Sequence, residues 1–187
     1  MRQHLDPSPP LAVAPRLELC FLPPERIGPK RLAEIEAVVK AGGAVGPDWI
    51  GHHLARAHLV AFALDDDRVA GTVCLKNPRP EYIERLRRLS GLDLTGHLER
   101  GYTAVDPAYR GLRLATALVR GLTRRAQDLP TYTVIALDNA KALGVTSRAG
   151  TRLAASFYSE IKGKRIGIWL QGPLPDDPGA SAWEGLP

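Results

Sequence analysis

The sequence predicts a single α/β domain, in the sense of an α+β fold, and three observations support this class. The chain has 187 residues, of which 44% are hydrophobic and 24% are charged, enough to bury one core without metal or disulfide staples. Short apolar runs of strand length alternate with segments whose apolar residues recur at helical spacing. Proline-rich stretches without such a period predict a flexible leader at 1–15 and a tail at 172–187, around a domain at 16–171.

The first half of the domain is predicted to alternate strands with helices. The predicted elements are a strand at 16–22, a helix at 29–43, a hairpin at 58–77 and a short helix at 81–89. Gly42 and Gly43 end the first helix, and Gly91 ends the short one. The hairpin turns at three consecutive aspartates and stops at Asn77 and Pro78.

The second half continues the alternation and closes with a hairpin. The predicted elements are a strand at 99–105, a helix after Gly111, a strand at 131–138, a helix from Asn139, and a hairpin around Lys162, Gly163 and Lys164. Leu114, Leu118 and Leu122 give the first of these helices an apolar stripe. Residues 131–138 are almost wholly apolar, which is typical of a strand covered on both faces.

Composition and charge argue against several classes of protein. No apolar run approaches the ~20 residues needed to cross a bilayer, and the N-terminus lacks an apolar signal region. Cys20 and Cys74 lie in strand-like apolar runs without metal or redox spacing, which favours a reducing, cytoplasmic environment. The net charge of +5 is spread along the chain, so we expect no specific nucleic acid and attribute the charge to binding of a polyanionic small molecule.

The segment DPAYRGLRLATAL at 106–118 is the clearest candidate for a binding site. It joins the end of a strand to the start of an amphipathic helix, with an Arg-Gly pair in the turn. The first turn of a helix has N–H groups without partners and the positive end of the helix dipole, so it binds phosphate well. Neither a dinucleotide-binding G-x-G-x-x-G nor a Walker loop is present, which excludes the two commonest alternatives.

Two motifs in this region and beyond it resemble those of the GCN5-related N-acetyltransferases (GNAT). The family's pyrophosphate loop, (Q/R)-x-x-G-x-(G/A), falls on residues 110–115, where Arg110 and Ala115 match and Arg113 replaces the central glycine. Many members also carry N-x-x-A-x-x-L-Y-x-K-x-G-F after the next strand. The corresponding residues here are Asn139, Ala142, Val145, Thr146, Arg148, Gly150 and Thr151. The resemblance in element order covers about residues 16–171.

The resemblance implies a central mixed, mostly antiparallel sheet with flanking helices, and acetyl-CoA as co-substrate without a metal. Where the family's fourth and fifth strands splay apart, backbone groups would pair with the pantetheine arm, and the loop amides would take the pyrophosphate. The implied cofactor-binding residues are Thr103, Ala104, Val105, Arg110, Gly111, Leu112, Arg113, Leu114, Ala115, Thr116, Asn139 and Arg148. Two alternatives stay open: Asn139 only caps its helix, and Arg148 is only a solvated helix charge.

The resemblance also implies where catalysis takes place. Glu99 has the spacing of the base glutamate of the histone-type members, and strand alternation predicts that Glu99, Gly101, Thr103 and Val105 share one face. The alternative for Glu99 is an exposed carboxylate paired with a nearby arginine. Thr146 stands where many members have the tyrosine that protonates the departing sulfur, and its hydroxyl is far too weak an acid for that role.

Histidines near these elements are further candidates for the site. His97 is a second candidate for a base or acid next to the strand, and His52 and His53, with Trp49, lie where the family builds its acceptor wall. The simpler interpretation of the latter segment is a loop packed against the domain.

The sequence therefore predicts an acetyl-CoA-dependent N-acetyltransferase that acts on a primary amine of a small molecule or peptide by direct attack in a ternary complex. The alternative is a non-catalytic acyl-CoA-binding module with the same fold. Residues 79–97 are expected to shape the acceptor side, and the fold allows a homodimer through the closing hairpin. No membrane partner is expected.

Overall fold

The fold is built on one seven-stranded sheet with helices on both of its faces. The computed structural model describes residues 16–43, 46, 48–126 and 128–174, and every element below lies in these ranges. The strands are β1 (Leu17–Leu22), β2 (Leu59–Asp65), β3 (Arg68–Lys76), β4 (Leu98–Val105), β5 (Thr131–Ala136), β6 (Thr151–Ser159) and β7 (Lys164–Gln171). The α-helices are α1 (Pro29–Ala41), α2 (Ile50–Ala55), α3 (Pro80–Ser90), α4 (Leu114–Arg125) and α5 (Ala140–Arg148).

The strand order confirms the mixed, mostly antiparallel sheet. The sheet runs β1-β2-β3-β4-β5-β7-β6. All neighbours pair antiparallel except β4 and β5, which are parallel. The one parallel joint therefore lies in the interior of the sheet, between β4 and β5.

Three buried clusters fix the layers of the fold. On one face, Ile35 of α1 and Leu54 of α2 pack with Val60 and Phe62 of β2. On the opposite face, the predicted α4 stripe of Leu114, Leu118 and Leu122 packs on Ala61 and Ala63 of β2. These two clusters bury the two sides of the β1–β4 half.

The third cluster belongs to the β5–β7 half of the sheet. Leu86 of α3 packs there with Tyr132 of β5 and Ile168 of β7. Tyr132 is in register with Glu99 of β4, so α3 covers the same face as Glu99. Pro80 at the first turn and the left-handed Gly91 after the last turn set the limits of α3.

Parts of the chain differ from the prediction or lie outside the described residues. The helix α2 was not predicted, because six residues are too few to show a helical period. The predicted leader at 1–15 and residues 175–187 of the predicted tail lie outside the described ranges. Within those ranges, no helix is long and apolar enough to cross a membrane.

Candidate active site

The parallel joint between β4 and β5 opens into a gap. The two strands are in register only at Leu98 with Thr131 and Glu99 with Tyr132. Both strands continue well beyond these positions, β4 to Val105 and β5 to Ala136. The edge of β4 over residues 103–105 therefore faces away from β3 without a neighbouring strand among the described residues. An extended ligand can pair with such an edge as an added strand does.

The side chain of Arg100 links β4 to β7 at the end of the gap where β4 and β5 still pair. Its side chain is buried on the α4 face, and its Nη1 donates to Oε1 of Gln171 at 2.9 Å. Because β5 lies between β4 and β7, this bond reaches across β5 at the point where the two strands still pair. Burial lowers the pKa of Arg100 to about 10.

A bulge in β4 overturns the predicted alternation of its side chains. Tyr102 has a left-handed backbone with φ 55°, and the register with β3 shifts between Thr72 and Cys74. Glu99 consequently lies opposite Lys76, on the face that carries Cys74, whereas Val105 packs with the α4 cluster. The prediction that Glu99, Gly101, Thr103 and Val105 share one face is wrong, because the extra residue reverses the alternation at the bulge.

The loop after β4 leads into an uncapped helix. A 3-10 turn over Pro107–Tyr109 is capped by Asp106, whose Oδ1 accepts from the amide of Ala108 at 2.9 Å. Gly111 and Arg113 follow with left-handed backbones, φ 84° and 57°, and no side chain caps the start of α4 at Leu114. Left-handed residues in a turn gather successive amides into an anion-binding concavity, and the dipole of α4 adds to its positive potential.

Comparison with known proteins places these features in a family. Residues 31–150 match the model of the acetyltransferase (GNAT) family, which is more than half of the chain. The chain belongs to the GNAT family. No curated protein matches the sequence closely enough to be counted as a relative.

Solved structures show the same fold at low sequence identity. A GNAT-family protein from Desulfovibrio desulfuricans superposes with a TM-score of 0.63 at 18% identity, over 81% of this chain and 97% of that one. The ribosomal-protein-S18-alanine N-acetyltransferase from Escherichia coli gives 0.61 at 12% identity, over 86% and 97%. A chain of the NatC complex bound to Gag peptide and CoA gives 0.57 at 14% identity, over 86% and 99%.

On the face of the sheet opposite α4, this GNAT chain contains a buried ion pair. Glu99 is 8% exposed, and its Oε2 lies 2.9 Å from Nζ of Lys76. The Lys76 ammonium also lies 4.8 Å from the centre of the Tyr102 ring. The carboxylate is buried and pairs with a lysine, and no arginine among the described residues pairs with it, so the predicted alternative for Glu99 is wrong on both points.

Tyr102 extends this cluster to α2. Its hydroxyl lies 2.6 Å from Nδ1 of His53, and the two rings are stacked. Burial, followed by the charge of Lys76, holds the pKa of His53 below its usual value, which favours the neutral ring as acceptor of the tyrosine proton. Burial raises the pKa of Tyr102 to about 12, so the phenol keeps its proton.

Two further tyrosines line the same side of the sheet as Glu99. Tyr82 of α3 and Tyr132 of β5 both have raised pKa values, first through burial and then through the charge of Glu99. The Tyr132 hydroxyl is buried without a hydrogen-bond partner among the described residues. This places α3, and with it the expected insert at 79–97, beside Glu99.

The residues predicted on and after α5 have local partners. Asn139 caps the helix, since its Oδ1 accepts from the amide of Ala142 at 3.1 Å, and its amide N–H groups are left to other acceptors. Arg148 donates to the carbonyl of Gly144 in its own helix at 3.0 Å. Thr146 is 4% exposed in the last turn. The assignments of all three to acetyl-CoA stay predictions.

The structure places the three candidate histidines in different surroundings. His53 joins the cluster, whereas His52 is exposed and packs edge-on against Trp49. The ring of His97 hydrogen-bonds locally to the Thr95 carbonyl at 3.2 Å.

Sequence reasoning missed Lys76, Tyr82, Tyr102 and Tyr132. One signal could have pointed to the lysine: Gly101 lies inside a strand, where glycine often marks a close approach by another group. The tyrosines carry no such local signal, because register and the bulge bring them to Glu99.

Proposed function

We propose that this GNAT protein is an acetyl-CoA-dependent N-acetyltransferase that transfers the acetyl group to a primary amine by direct attack in a ternary complex. Membership of the family supports acyl-CoA-dependent N-acetyl transfer in general. The observation that carries the proposal is the gap between β4 and β5, which begins at the buried carboxylate of Glu99 and leaves the edge of β4 open as far as the loop before α4. In this proposal the thioester lies at the Glu99 end of the gap, and the phosphate groups lie at the loop before α4.

The chain's own residues fit the co-substrate. The backbone of Thr103, Ala104 and Val105 would pair with the pantetheine arm as an added strand. The amides of Gly111 to Thr116, with the charges of Arg110 and Arg113, would hold the pyrophosphate. The cap geometry of Asn139 leaves its amide group able to donate to the pantetheine, and Arg148 would supply a further charge.

The reaction requires an amine that has lost a proton. In our scheme the substrate ammonium gives its proton to the Glu99 carboxylate, directly or through a water. The amine nitrogen then forms a bond to the thioester carbon, the C–S bond breaks, and the sulfur leaves as a thiolate. The nitrogen loses its second proton, which passes to the thiolate directly or through a water and gives neutral amide and CoA thiol. A backbone N–H near Val105 would stabilise the oxyanion.

The departing sulfur needs little help. A free thiol has a pKa of roughly 8.5, so the thiolate leaves without a strong acid. We assign Thr146 a hydrogen bond to the sulfur rather than proton donation.

The test is release of CoA from acetyl-CoA with a panel of primary amines. Removing the base with Glu99→Gln should lower kcat by about 100-fold or more at unchanged affinity for acetyl-CoA. Glu36→Gln, which removes a carboxylate from the surface pair with Lys40, is the matched control. Failure of every amine would refute the proposed transfer, and binding of acetyl-CoA without turnover would then favour the second candidate.

A non-catalytic acyl-CoA-binding module is the second candidate, and one observation favours it. The ammonium of Lys76 already occupies the carboxylate that would serve as base. This candidate requires that acetyl-CoA raises the melting temperature without turnover, and that Glu99→Gln changes neither property.

Location and assembly complete the proposal. The two free cysteines support a cytoplasmic location. A homodimer would form through β6, which is the last strand of the sheet and exposes Leu153 and Tyr158. Sedimentation of the purified protein tests this assembly.

A further inference from the structure

The ion pair between Lys76 and Glu99 is an unusual feature for a site that must receive an ammonium. The two side chains are 16% and 11% exposed, and their charged atoms lie 2.9 Å apart. They come from the paired ends of β3 and β4, where Lys76 is in register with Glu99. Any amine that approaches the Glu99 carboxylate therefore meets a resident cation.

The backbone beside Lys76 is shaped to hold that cation. A Cβ added to Gly101 would lie 2.8 Å from Cε of Lys76 and 3.1 Å from its Nζ. The glycine thus leaves the space along which the lysine chain runs. The bulge turns Tyr102 to the same side, with its ring centre 4.8 Å from the ammonium.

The free-energy cost of replacing Lys76 by a substrate ammonium at Glu99 depends on the other groups of the acceptor. A simple alkylammonium that pairs with Glu99 displaces Lys76, and a partly buried cation left without a partner is strongly unfavourable. An acceptor that carries its own carboxylate next to the amine offers Lys76 a replacement. Two charges on one small molecule then match two opposite charges on the protein.

The surrounding charges favour an anionic group as well. The groups that act on His53 include Lys76 and Arg79, with His52, against the carboxylate of Glu99. Burial is the largest cause of the lowered pKa of His53, and the charge of Lys76 is the next. A carboxylate would be attracted to this side of the sheet, and a simple cation would not.

We propose that the acceptor is an amine with a carboxylate close to its amino group, that is, a free α- or β-amino acid. Its ammonium replaces Lys76 at Glu99, and its carboxylate pairs with the Lys76 ammonium. The short separation of the two protein charges selects amino acids in which only one or two carbons separate the amine from the carboxylate. The inference rests on the proposed N-acetyltransferase function and names its substrate class.

The experiment compares each proteinogenic amino acid with its own carboxamide, which keeps the amine and removes the carboxylate. The protein is assayed for CoA release with acetyl-CoA, and equilibrium dialysis measures binding of the same amino acids to the CoA-loaded protein. For at least one amino acid we expect kcat/KM to exceed that of its carboxamide by at least tenfold.

Variants test whether Lys76 causes this preference. Lys76→Met should remove most of the tenfold preference, mainly through KM of the amino acid, and Lys76→Arg should retain part of it. Gly101→Ala keeps the charge but pushes the lysine aside, so it should weaken the preference even if Lys76→Met fails to fold. Lys40→Met, which breaks a 2.7 Å pair with Glu36 on α1, should change nothing.

The outcomes separate this inference from the function on which it rests. Turnover of carboxamides or simple amines as fast as amino acids, or a preference that survives Lys76→Met and Gly101→Ala, overturns the substrate class and leaves the transferase intact. If no amine releases CoA, the proposed transfer is refuted. The acceptor class falls with it, and dialysis then tests only the charge pairing: binding of amino acids that is lost in Lys76→Met supports an amino-acid site at Lys76 and Glu99, and equal binding or none overturns that site as well.

Discussion

Arg113 occupies the position at which the GNAT phosphate loop has a glycine. Its left-handed backbone explains why glycine suits this position. With φ 57° and ψ 17°, Arg113 is in the left-handed region, which costs an L residue roughly 1–2 kcal/mol and glycine almost nothing. We compare Arg113→Gly with Arg113→Ala. Both variants remove the same guanidinium with its interactions, so their difference isolates the backbone.

The expected difference is small but measurable. Relief of the left-handed strain favours the glycine variant by about 1–2 kcal/mol, and the greater freedom of glycine in the unfolded chain returns about 0.5–1 kcal/mol. The net gain is therefore about 0–1.5 kcal/mol, and its midpoint of about 0.75 kcal/mol corresponds to about 2–3 °C in Tm for a domain of this size. Differential scanning calorimetry without ligand is the measurement.

Titration calorimetry with CoA then reports on the side chain. A guanidinium that contacts phosphate at an exposed loop contributes up to about 1 kcal/mol, so both variants should bind CoA up to about fivefold more weakly, and less so at high salt. An alanine variant as stable as the glycine variant would refute the left-handed assignment. Unchanged CoA affinity in both would refute the phosphate contact.

Four further substitutions test the packing and the candidate site. Gly121→Ala in α4 would bring a Cβ to 2.7 Å from Cε1 of Phe21, so overpacking of about 1–3 kcal/mol should outweigh ~1 kcal/mol of helix propensity and lower Tm. Gly144→Ala, whose Cβ meets only the flexible Arg148 guanidinium at 3.3 Å, should raise Tm instead; the opposite signs would contradict both packing arguments. Because the folded pKa of His53 lies below 6.5, the unfolded chain binds the extra proton, and stability should fall as pH drops from about 6.5 until the folded pKa is reached. His53→Gln should flatten that part of a urea-unfolding series, and an unchanged slope would show that the ring is not held neutral. Thr146→Val should reduce kcat by no more than about threefold, and a tenfold loss would give the hydroxyl an essential role at the sulfur.

The strands and the loop before α4 could be predicted because their signals are local. The α4 stripe at Leu114, Leu118 and Leu122 has a clear helical period, and it packs as expected. The Arg-Gly turn before it identifies the loop without reference to any distant residue. Even the departure at Arg113 was visible, although its left-handed backbone was not.

The cluster around Glu99 could not be predicted, because it is assembled from elements distant in sequence. Lys76 ends β3, Tyr102 lies in β4 and His53 lies in α2, and only strand register and helix packing bring them to Glu99. Gly101, inside the strand next to Tyr102, is a local sign of a bulge, but it does not show that the left-handed backbone falls on Tyr102. A strict alternation therefore put Val105 on the wrong face.

Because β4 and β5 are in register at two positions, the β1–β4 half and the β5–β7 half of the sheet share few main-chain hydrogen bonds. Two of the buried clusters lie mainly on β1–β4 and the third lies mainly on the β5–β7 half. Main-chain pairing at two positions, the side-chain bond from Arg100 to Gln171 and the packing of Val145 and Ala149 on the α4 cluster link the halves. The two halves can therefore open as separate cooperative units. A ligand lying along the seam would turn two loosely coupled sheets into one, so occupancy and global cooperativity of unfolding should rise together.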